Sequence, residues 1–155
     1  QLEPSLIKLS SLMRYMLYET GDEKVPLEKE IEYLQSYIDL QQQRFGNNVT
    51  INRCFKDVES GHEIEPMLLI PFVENAFKYG EINNELHPIE VYLFADKEHI
   101  VFNVKNKKNM GNRIETIDSP HQTIRELLNY LYEANYKLET KNTEGEYCVD
   151  LTVYN

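Results

Sequence analysis

The chain has 155 residues, and its 16 Lys plus Arg against 26 Asp plus Glu give a formal net charge of −10. This length suits one domain with a single core, and a hydrophobic share of 41% with 11 Tyr and 6 Phe excludes a disordered chain. The acidic balance argues against a nucleic-acid partner, because phosphate backbones are bound by clustered basic residues, but it does not exclude a nucleotide bound through Mg²⁺.

The sequence shows neither a membrane-spanning run nor a secretory signal. No apolar segment approaches the ~20 residues that a membrane span needs, and no basic stretch followed by an apolar one opens the chain. An apolar helical pattern is already running just after Gln1, so we expect the chain to be part of a longer protein. Cys54 and Cys148 lie far apart, which favours reduced thiols of a cytoplasmic protein and leaves one disulfide open.

Two amphipathic helices are predicted at the start of the chain. Apolar residues repeat at helical spacing over residues 2–18, and a Gly-Asp pair then breaks the pattern. The second helix is expected to run from near Pro26 to Gly46. Glu28 and Glu30 suit the positive end of its dipole. Its apolar stripe consists of Leu27, Ile31, Leu34, Ile38 and Phe45.

These two helices form a helical hairpin, for which two interpretations stay open. The apolar stripes either pack onto the chain's own domain or build a four-helix seam between two copies, which would make the protein a homodimer. Narrow stripes of this kind are typical of helix-helix interfaces in coiled coils.

The rest of the chain predicts strands and two further helices. Alternating apolar residues mark strands, Pro66 and Gly80 bound the third helix, and a Ser-Pro-His-Gln capping pattern opens the last one. The predicted elements are a strand over 49–55, a helix over 66–80, strands over 89–93 and 100–104 joined by a turn at 96–98, a loop over 106–119, a helix with Ile124, Leu127, Leu128 and Leu131, and a hairpin over 136–141 and 147–154.

This order of elements predicts the α+β class. The sequence α, α, β, α, β, β, loop, α, β, β is typical of a two-layer α/β sandwich, with a mixed sheet and helices on one face, preceded here by the helical hairpin.

The third helix, PMLLIPFVENAFKYG over residues 66–80, separates an apolar face from a polar one. At 3.6 residues per turn, Glu74, Asn75 and Lys78 share one side of the helix. The apolar face consists of Leu69, Phe72, Val73, Ala76 and Phe77. From composition alone, the solvated side of an ordinary amphipathic helix is the simpler interpretation.

A resemblance changes that interpretation. PMLLIPFVENAFKYG resembles the N-box of the GHKL ATPase superfamily, in the version found in LytS/YehU-type sensor histidine kinases. VPLEKEIEYLQSYIDLQQQRFGNNV, residues 25–49, is similar to the segment that joins the phosphoacceptor helices to the ATP-binding domain in that family. The match covers about residues 5–104. It implies a remnant of dimerisation and phosphotransfer helices over 1–46 and a Bergerat/GHKL-type ATP-binding domain over 47–155.

The resemblance also implies roles for individual residues. Asn75 would supply an oxygen to the Mg²⁺ that bridges the nucleotide phosphates, and Glu74 would be the catalytic base or polarising carboxylate. Lys78 would place a positive charge near the phosphates. Tyr79 occupies a position that is commonly His in the family, and it keeps a hydrogen-bonding tip without a titrating imidazole. Asn106 lies where the family reads adenine, and it could form a hydrogen bond with the base.

The sequence departs from the family at both glycine boxes. The adenine-reading Asp-x-Gly-x-Gly box falls on residues 106–111, which contain no Asp and one Gly. The Gly-x-Gly-Leu box falls by spacing on residues 118–121, where Asp118 and Pro120 add a negative charge and remove an amide donor. The phosphoacceptor motif Pro-His-Phe is absent, and the four histidines are expected to be loop or surface residues: His62, His87, His99 and His121.

Two functions follow as alternatives. The first is the cytoplasmic ATP-binding catalytic region of a bacterial two-component sensor histidine kinase, with ATP and Mg²⁺ as ligands, a response regulator as partner and a parent receptor in the inner membrane. The parent reaction would phosphorylate a histidine upstream of this sequence. The second is a pseudokinase-like interaction and dimerisation module in which nucleotide binding is weakened or lost.

Overall fold

A computed structural model of the chain describes residues 24–45, 50–79, 88–107, 125–142 and 145–154. The helix predicted over residues 2–18, most of the loop predicted over 106–119 and the capping pattern at 119–122 lie outside these described residues. The elements are β1 (Val25–Pro26), α1 (Leu27–Phe45), β2 (Ile51–Val58), β3 (Glu63–Ile64), α2 (Ile70–Tyr79), β4 (Ile89–Ala95), β5 (His99–Lys107), α3 (125–132), β6 (Tyr136–Asn142) and β7 (Glu146–Tyr154).

Five of the strands form one mixed sheet in the order β2-β4-β5-β7-β6. β2 pairs with β4 in parallel, and the remaining pairs are antiparallel. Alternate residues of β4 and β5 lie on one buried face, where Val91 is opposite Val104 and Leu93 is opposite Phe102. The predicted pair of strands, their turn and the terminal hairpin are thus confirmed, as is the α+β class with a helical layer on a mixed sheet.

Helix α1 packs into the same core as the sheet. Leu27, Leu34 and Ile38 of its predicted apolar stripe are fully buried, with 0% exposure. Polar contacts join α1 to the sheet as well, since Arg53 on β2 contacts the Asp39 carboxylate at 2.6 Å. Within the described residues, the stripe of α1 therefore packs onto the chain's own domain. A seam between two copies stays a prediction, in which the helix over 2–18 would take part.

Two short strands attach the start of α1 to the loop before α2. β1 and β3 form a separate two-stranded antiparallel ladder in which Val25 is opposite Ile64. The N–H of Leu27 then donates to the carbonyl oxygen of His62 at 2.9 Å. Sequence alone did not predict either strand, because two residues are too few to show an alternating pattern.

Three expectations from the sequence are corrected by the structure. The helix expected from Pro66 begins only at Ile70, since Met67 adopts a φ of 64°, which lies outside the helical region. Leu127, placed on the apolar stripe of α3, is 46% exposed. His62, expected to be a loop or surface residue, does lie in the loop before β3, but it is buried there, and its Nε2 contacts the carbonyl oxygen of Asp96.

The structure also bears on the two cysteines and on membrane crossing. Cys54 on β2 and Cys148 on β7 are both free, because β4 and β5 lie between their strands. None of the helices in the described part of the chain has an apolar stretch as long as a membrane crossing requires.

Leu34 tests whether α1 is part of the folded core. We expect Leu34→Ala to lower the free energy of unfolding by roughly 2–5 kcal/mol, because it leaves a cavity between α1 and the domain. Urea denaturation followed by circular dichroism measures this loss. Tyr130→Ala is the matched control on an 83% exposed side chain, and its effect should stay within about 0.5 kcal/mol. An unchanged midpoint for Leu34→Ala would mean that α1 is an appendage.

Candidate nucleotide site

The core anchors one face of α2 and leaves Glu74 exposed on the other. Phe72 is 1% exposed, and its ring lies 6.2 Å from the ring of Phe102 on β5. Val73 and Ala76 are buried beside it. Glu74 is exposed to solvent. The sheet therefore holds α2 in a fixed rotation about its axis, which presents this carboxylate outward.

Asn75 has a buried side-chain amide without a partner. Its Nδ2 atom is inaccessible to solvent, and within the described residues it forms no hydrogen bond. Leaving a buried donor unpaired costs about 1–3 kcal/mol, so such groups are uncommon outside functional sites. An unpaired N–H donor suits a ligand that offers acceptor oxygens, as a phosphate does. Amide and carboxylate oxygens are the donors that Mg²⁺ prefers, so these two residues fit a magnesium-bound nucleotide.

Aromatic residues from α1 close over the end of α2. The Phe77 ring lies 6.3 Å from the ring of Tyr37, edge to face, and 6.1 Å from the ring of Phe45, in parallel. Arg44 lies above Phe45, with its guanidinium carbon 5.5 Å from the ring centroid. These contacts fix the second half of α1 against α2.

Glu74 and Arg44 both act electrostatically on Tyr37. Burial raises the pKa of the Tyr37 hydroxyl well above its ordinary value, the negative charge of Glu74 raises it further, and the positive charge of Arg44 opposes both. Glu74 of α2 and Arg44 of α1 therefore both lie close enough to Tyr37 to act on its hydroxyl. Sequence reasoning did not assign Tyr37 or Arg44 to the site, although both lie in the segment that resembles the family.

The start of α2 is held by a buried carboxylate from α1. Glu30 is 0% exposed, its Oε1 accepts a hydrogen bond from the N–H of Met67 at 3.0 Å, and its Oε2 accepts one from the N–H of Leu69 at 3.2 Å. N–H groups at a helix start lack partners within the helix, and a negative charge there also interacts favourably with the dipole. We expected Glu30 to serve its own helix. Glu30 does lie in the first turn of α1, and its carboxylate also holds the start of a helix that begins 40 residues later.

Tyr132 at the end of α3 holds Glu65, which lies two residues before Met67. Its hydroxyl accepts a hydrogen bond from the N–H of Glu65 at 3.1 Å, and the Lys24 ammonium lies 4.8 Å from the centroid of its ring. Burial raises the pKa of Tyr132 to about 12, although the hydrogen bond from Glu65 opposes that shift. The entrance to α2 is thus fixed by side chains from both α1 and α3.

The remaining predicted site residues are placed as follows. Asn106 lies on the core side of β5, 4% exposed, and its Nδ2 donates to the carbonyl oxygen of Lys107 at 3.3 Å. Lys78 and Tyr79 belong to the last turn of α2, but their side chains lie outside the described part of the structure. The structure therefore brings Glu74 and Asn75 together on one helix and places Asn106 on the neighbouring sheet.

Sequence comparisons place this architecture among known proteins. A family model for histidine kinases matches residues 1–49. The sensor protein LytS of Oceanobacillus iheyensis is 37% identical over 75 residues, which are 48% of this chain and 13% of that protein. The LytS protein of Bacillus cereus is 28% identical over 102 residues, which are 65% of this chain and 17% of that protein. This chain thus spans less than a fifth of the length of both relatives.

Solved structures share the fold. The catalytic domain of the histidine kinase ThkA matches with a TM-score of 0.58 and 16% identity, covering 86% of this chain and 96% of that domain. ThkA in complex with the response regulator TrrA matches with a TM-score of 0.56 and 16% identity, over 96% of this chain and 48% of ThkA. At these identities the likeness establishes the fold.

The family-model match and the shared fold make this chain similar to histidine kinases and their catalytic domains. Its sequence relatives are LytS sensor proteins, and these matches support the resemblance to LytS-type sensor histidine kinases. The resemblance drawn from the N-box helix and the segment before it is thereby confirmed.

Tyr132→Phe tests the anchor at the entrance to α2. The change leaves the N–H of Glu65 unpaired, and we expect a loss of about 1 kcal/mol of unfolding free energy at neutral pH. The folded pKa is about 12 and the ordinary value is 10, so the neutral hydroxyl stabilises the fold fully below pH 10. This contribution is lost as the pH rises from 10 towards 12.

Denaturation of the wild type and the Phe variant between pH 8 and pH 11 measures the effect, with Tyr130→Phe as the control on an exposed tyrosine. The stability difference between wild type and Tyr132→Phe should shrink above pH 10. A difference that stays constant across this range would contradict a raised pKa at Tyr132.

Proposed function

We propose that this chain is the ATP-binding catalytic region of a two-component sensor kinase, which delivers the γ-phosphoryl group of ATP to a histidine on an upstream helix. The observation that carries the proposal is the buried, unpaired amide of Asn75 beside the exposed carboxylate of Glu74. An ordinary solvated helix face would leave both groups hydrated, whereas a nucleotide site requires a polar group that is kept free for the ligand.

The residues of α2 take the following roles in this proposal. Asn75 offers its amide oxygen to Mg²⁺, and Lys78 places a positive charge near the phosphates. Mg²⁺, when bound, would neutralise phosphate charge as the γ-phosphoryl group leaves. Tyr79 contributes a hydrogen-bonding tip at the end of the helix, and Asn106 would bind the adenine edge.

Glu74 acts as the general base in the transfer. The bond between the γ-phosphorus and the β,γ-bridging oxygen breaks, and a bond forms between that phosphorus and an imidazole nitrogen. Glu74 accepts the proton that the imidazole loses, and ADP departs with the bridging oxygen. The carboxylate is exposed, so an incoming histidine of another helix could approach it.

The partners follow from the same class of protein. A solved structure shows the histidine kinase ThkA in complex with a response regulator, which supports a response regulator as the acceptor of the phosphoryl group from the phosphohistidine. We place the region in the cytoplasm, where ATP is present, with the parent receptor anchored upstream in the inner membrane. Homodimerisation through the N-terminal helices would bring a phosphoacceptor within reach of α2.

One observation favours the second candidate, a pseudokinase-like interaction module. Asn106 is 4% exposed, and its amide already donates to the backbone of Lys107. This burial leaves it less able to form a hydrogen bond with adenine. By sequence spacing, Asp118 and Pro120 fall on the glycine box that supplies phosphate-binding amides in the family that the chain resembles. In this candidate, the chain would keep the fold and the dimer seam without binding a nucleotide.

Calorimetric titration of the chain with Mg²⁺–ADP separates the two candidates. We expect binding in the micromolar range, and Asn75→Ala should weaken it at least about tenfold, because the amide is a ligand of the metal. The melting temperature of Asn75→Ala should be equal to or above that of the wild type, since the substitution removes a buried amide without a partner.

Asn52→Ala is the matched control, because Asn52 is an exposed asparagine on β2. It should leave both binding and stability unchanged. No heat at millimolar nucleotide would reject nucleotide binding by this chain and support the interaction module. A lower melting temperature for Asn75→Ala would show that the amide serves the fold.

A further inference from the structure

We propose that Glu30 is a positioning residue for the nucleotide site, because its buried carboxylate fixes where α2 begins and hence where Glu74 and Asn75 lie. The inference rests on the proposed function for the chemistry of the site. Its structural part, the control of α2 by a residue of α1, can be tested without a nucleotide.

The segment before α2 is held by side chains at alternate residues. Tyr132 accepts the N–H of Glu65, and Glu30 accepts the N–H groups of Met67 and Leu69. Met67 has a φ of 64°, a conformation that an L-residue adopts only when its surroundings impose it. The hydrogen bonds from the N–H groups of Met67 and Leu69 to the Glu30 carboxylate supply that constraint.

The effect of Glu30 reaches the site through a short and stiff path. Asn75 follows Leu69 by six residues, which is about 9 Å along a helix axis. An α-helix transmits a shift or rotation of its first turn to the next turn with little loss. Because the opposite face of α2 is packed on β5 through Phe72, the first turn is the part of the helix that Glu30 can adjust.

The carboxylate is not required to keep α1 in place. The β1–β3 ladder, the hydrogen bond from Leu27 to His62 and the contact between Arg53 and Asp39 attach α1 to the domain independently. The buried stripe with Leu34 and Ile38 adds to them. Loss of the Glu30 charge should therefore release the start of α2 without detaching α1.

Glutamine at this position is the sharpest test. The amide of Glu30→Gln has nearly the shape of the carboxylate but only one accepting oxygen, so one of the two N–H groups would face a second donor. Hydrogen bonds to a charged acceptor are also about twice as strong as neutral ones. The substitution thus disturbs the start of α2 while it keeps the packing of α1.

Two control variants lie on the same helix. Glu32→Gln removes a negative charge from an exposed position. Leu34→Ala removes packing from a fully buried position one helical turn after Glu30. The first controls for net charge, and the second controls for a general loss of stability.

The experiment measures the dissociation constant for Mg²⁺–ADP by calorimetry, at a temperature where all four proteins are folded. It also records amide resonances of ¹⁵N-labelled protein without nucleotide. We expect Glu30→Gln to bind Mg²⁺–ADP roughly tenfold more weakly, because losing a residue that orients a metal ligand typically costs about this much affinity. Its resonances over residues 67–75 should move, including the side-chain amide of Asn75. Glu32→Gln should leave the affinity and these resonances unchanged, and Leu34→Ala should change them to a smaller extent than Glu30→Gln does.

The proposal is overturned if Glu30→Gln behaves like Glu32→Gln, or if Leu34→Ala changes the affinity and the resonances to the same extent. If the wild type binds no nucleotide, the proposed function fails, and the spectra alone decide the positioning role. Movements over residues 67–75 that are larger in Glu30→Gln than in Leu34→Ala support it in that case, and equal movements in Leu34→Ala overturn it.

Discussion

A buried carboxylate between two helices decides the geometry of this domain. Glu30 accepts hydrogen bonds from the N–H groups of Met67 and Leu69, and it does so with no solvent exposure. Burying a carboxylate is unfavourable unless its oxygens are paired, and the free N–H groups at a helix start have the same requirement. The carboxylate of Glu30 and the N–H groups of Met67 and Leu69 therefore each satisfy a requirement of the other. The consequence is that α1 and α2 take one relative position, from which the rest of the helical layer follows.

The helical layer is then fixed on the sheet by apolar contacts. Phe72 joins α2 to β5, and the stripe of α1 fills the space beside α2. This packing leaves Glu74 outward and the amide of Asn75 buried without an internal partner. α1 belongs to the segment that resembles the link between the upstream helices and the catalytic domain of LytS-type kinases. The direct hydrogen bonds between α1 and the start of α2 give that segment a physical connection to the helix that carries Glu74 and Asn75.

Much of the fold could be predicted because its signals are local. The alternation in β4 and β5 and the apolar stripe of α1 depend on neighbours a few residues apart, and the structure confirms them. The start of α2 was wrong by four residues, since Pro66 is a good first helical residue but the turn at Met67 depends on Glu30, 37 residues away. Glu74 and Asn75 were predicted as site residues through the N-box resemblance. Tyr37, Arg44 and Tyr132 were not, because contacts between distant elements leave no local pattern.

Native-state hydrogen exchange at the amides of Met67 and Leu69 tests the central claim most directly. If Glu30 holds the start of α2, both amides exchange only through openings that also expose the middle of α1 and the centre of β5, with similar free energies. This protection is the predicted result, although both residues lie in a turn outside any helix or strand. Exchange of the two amides at the rate of an unprotected loop, while α1 and β5 stay protected, would contradict the account.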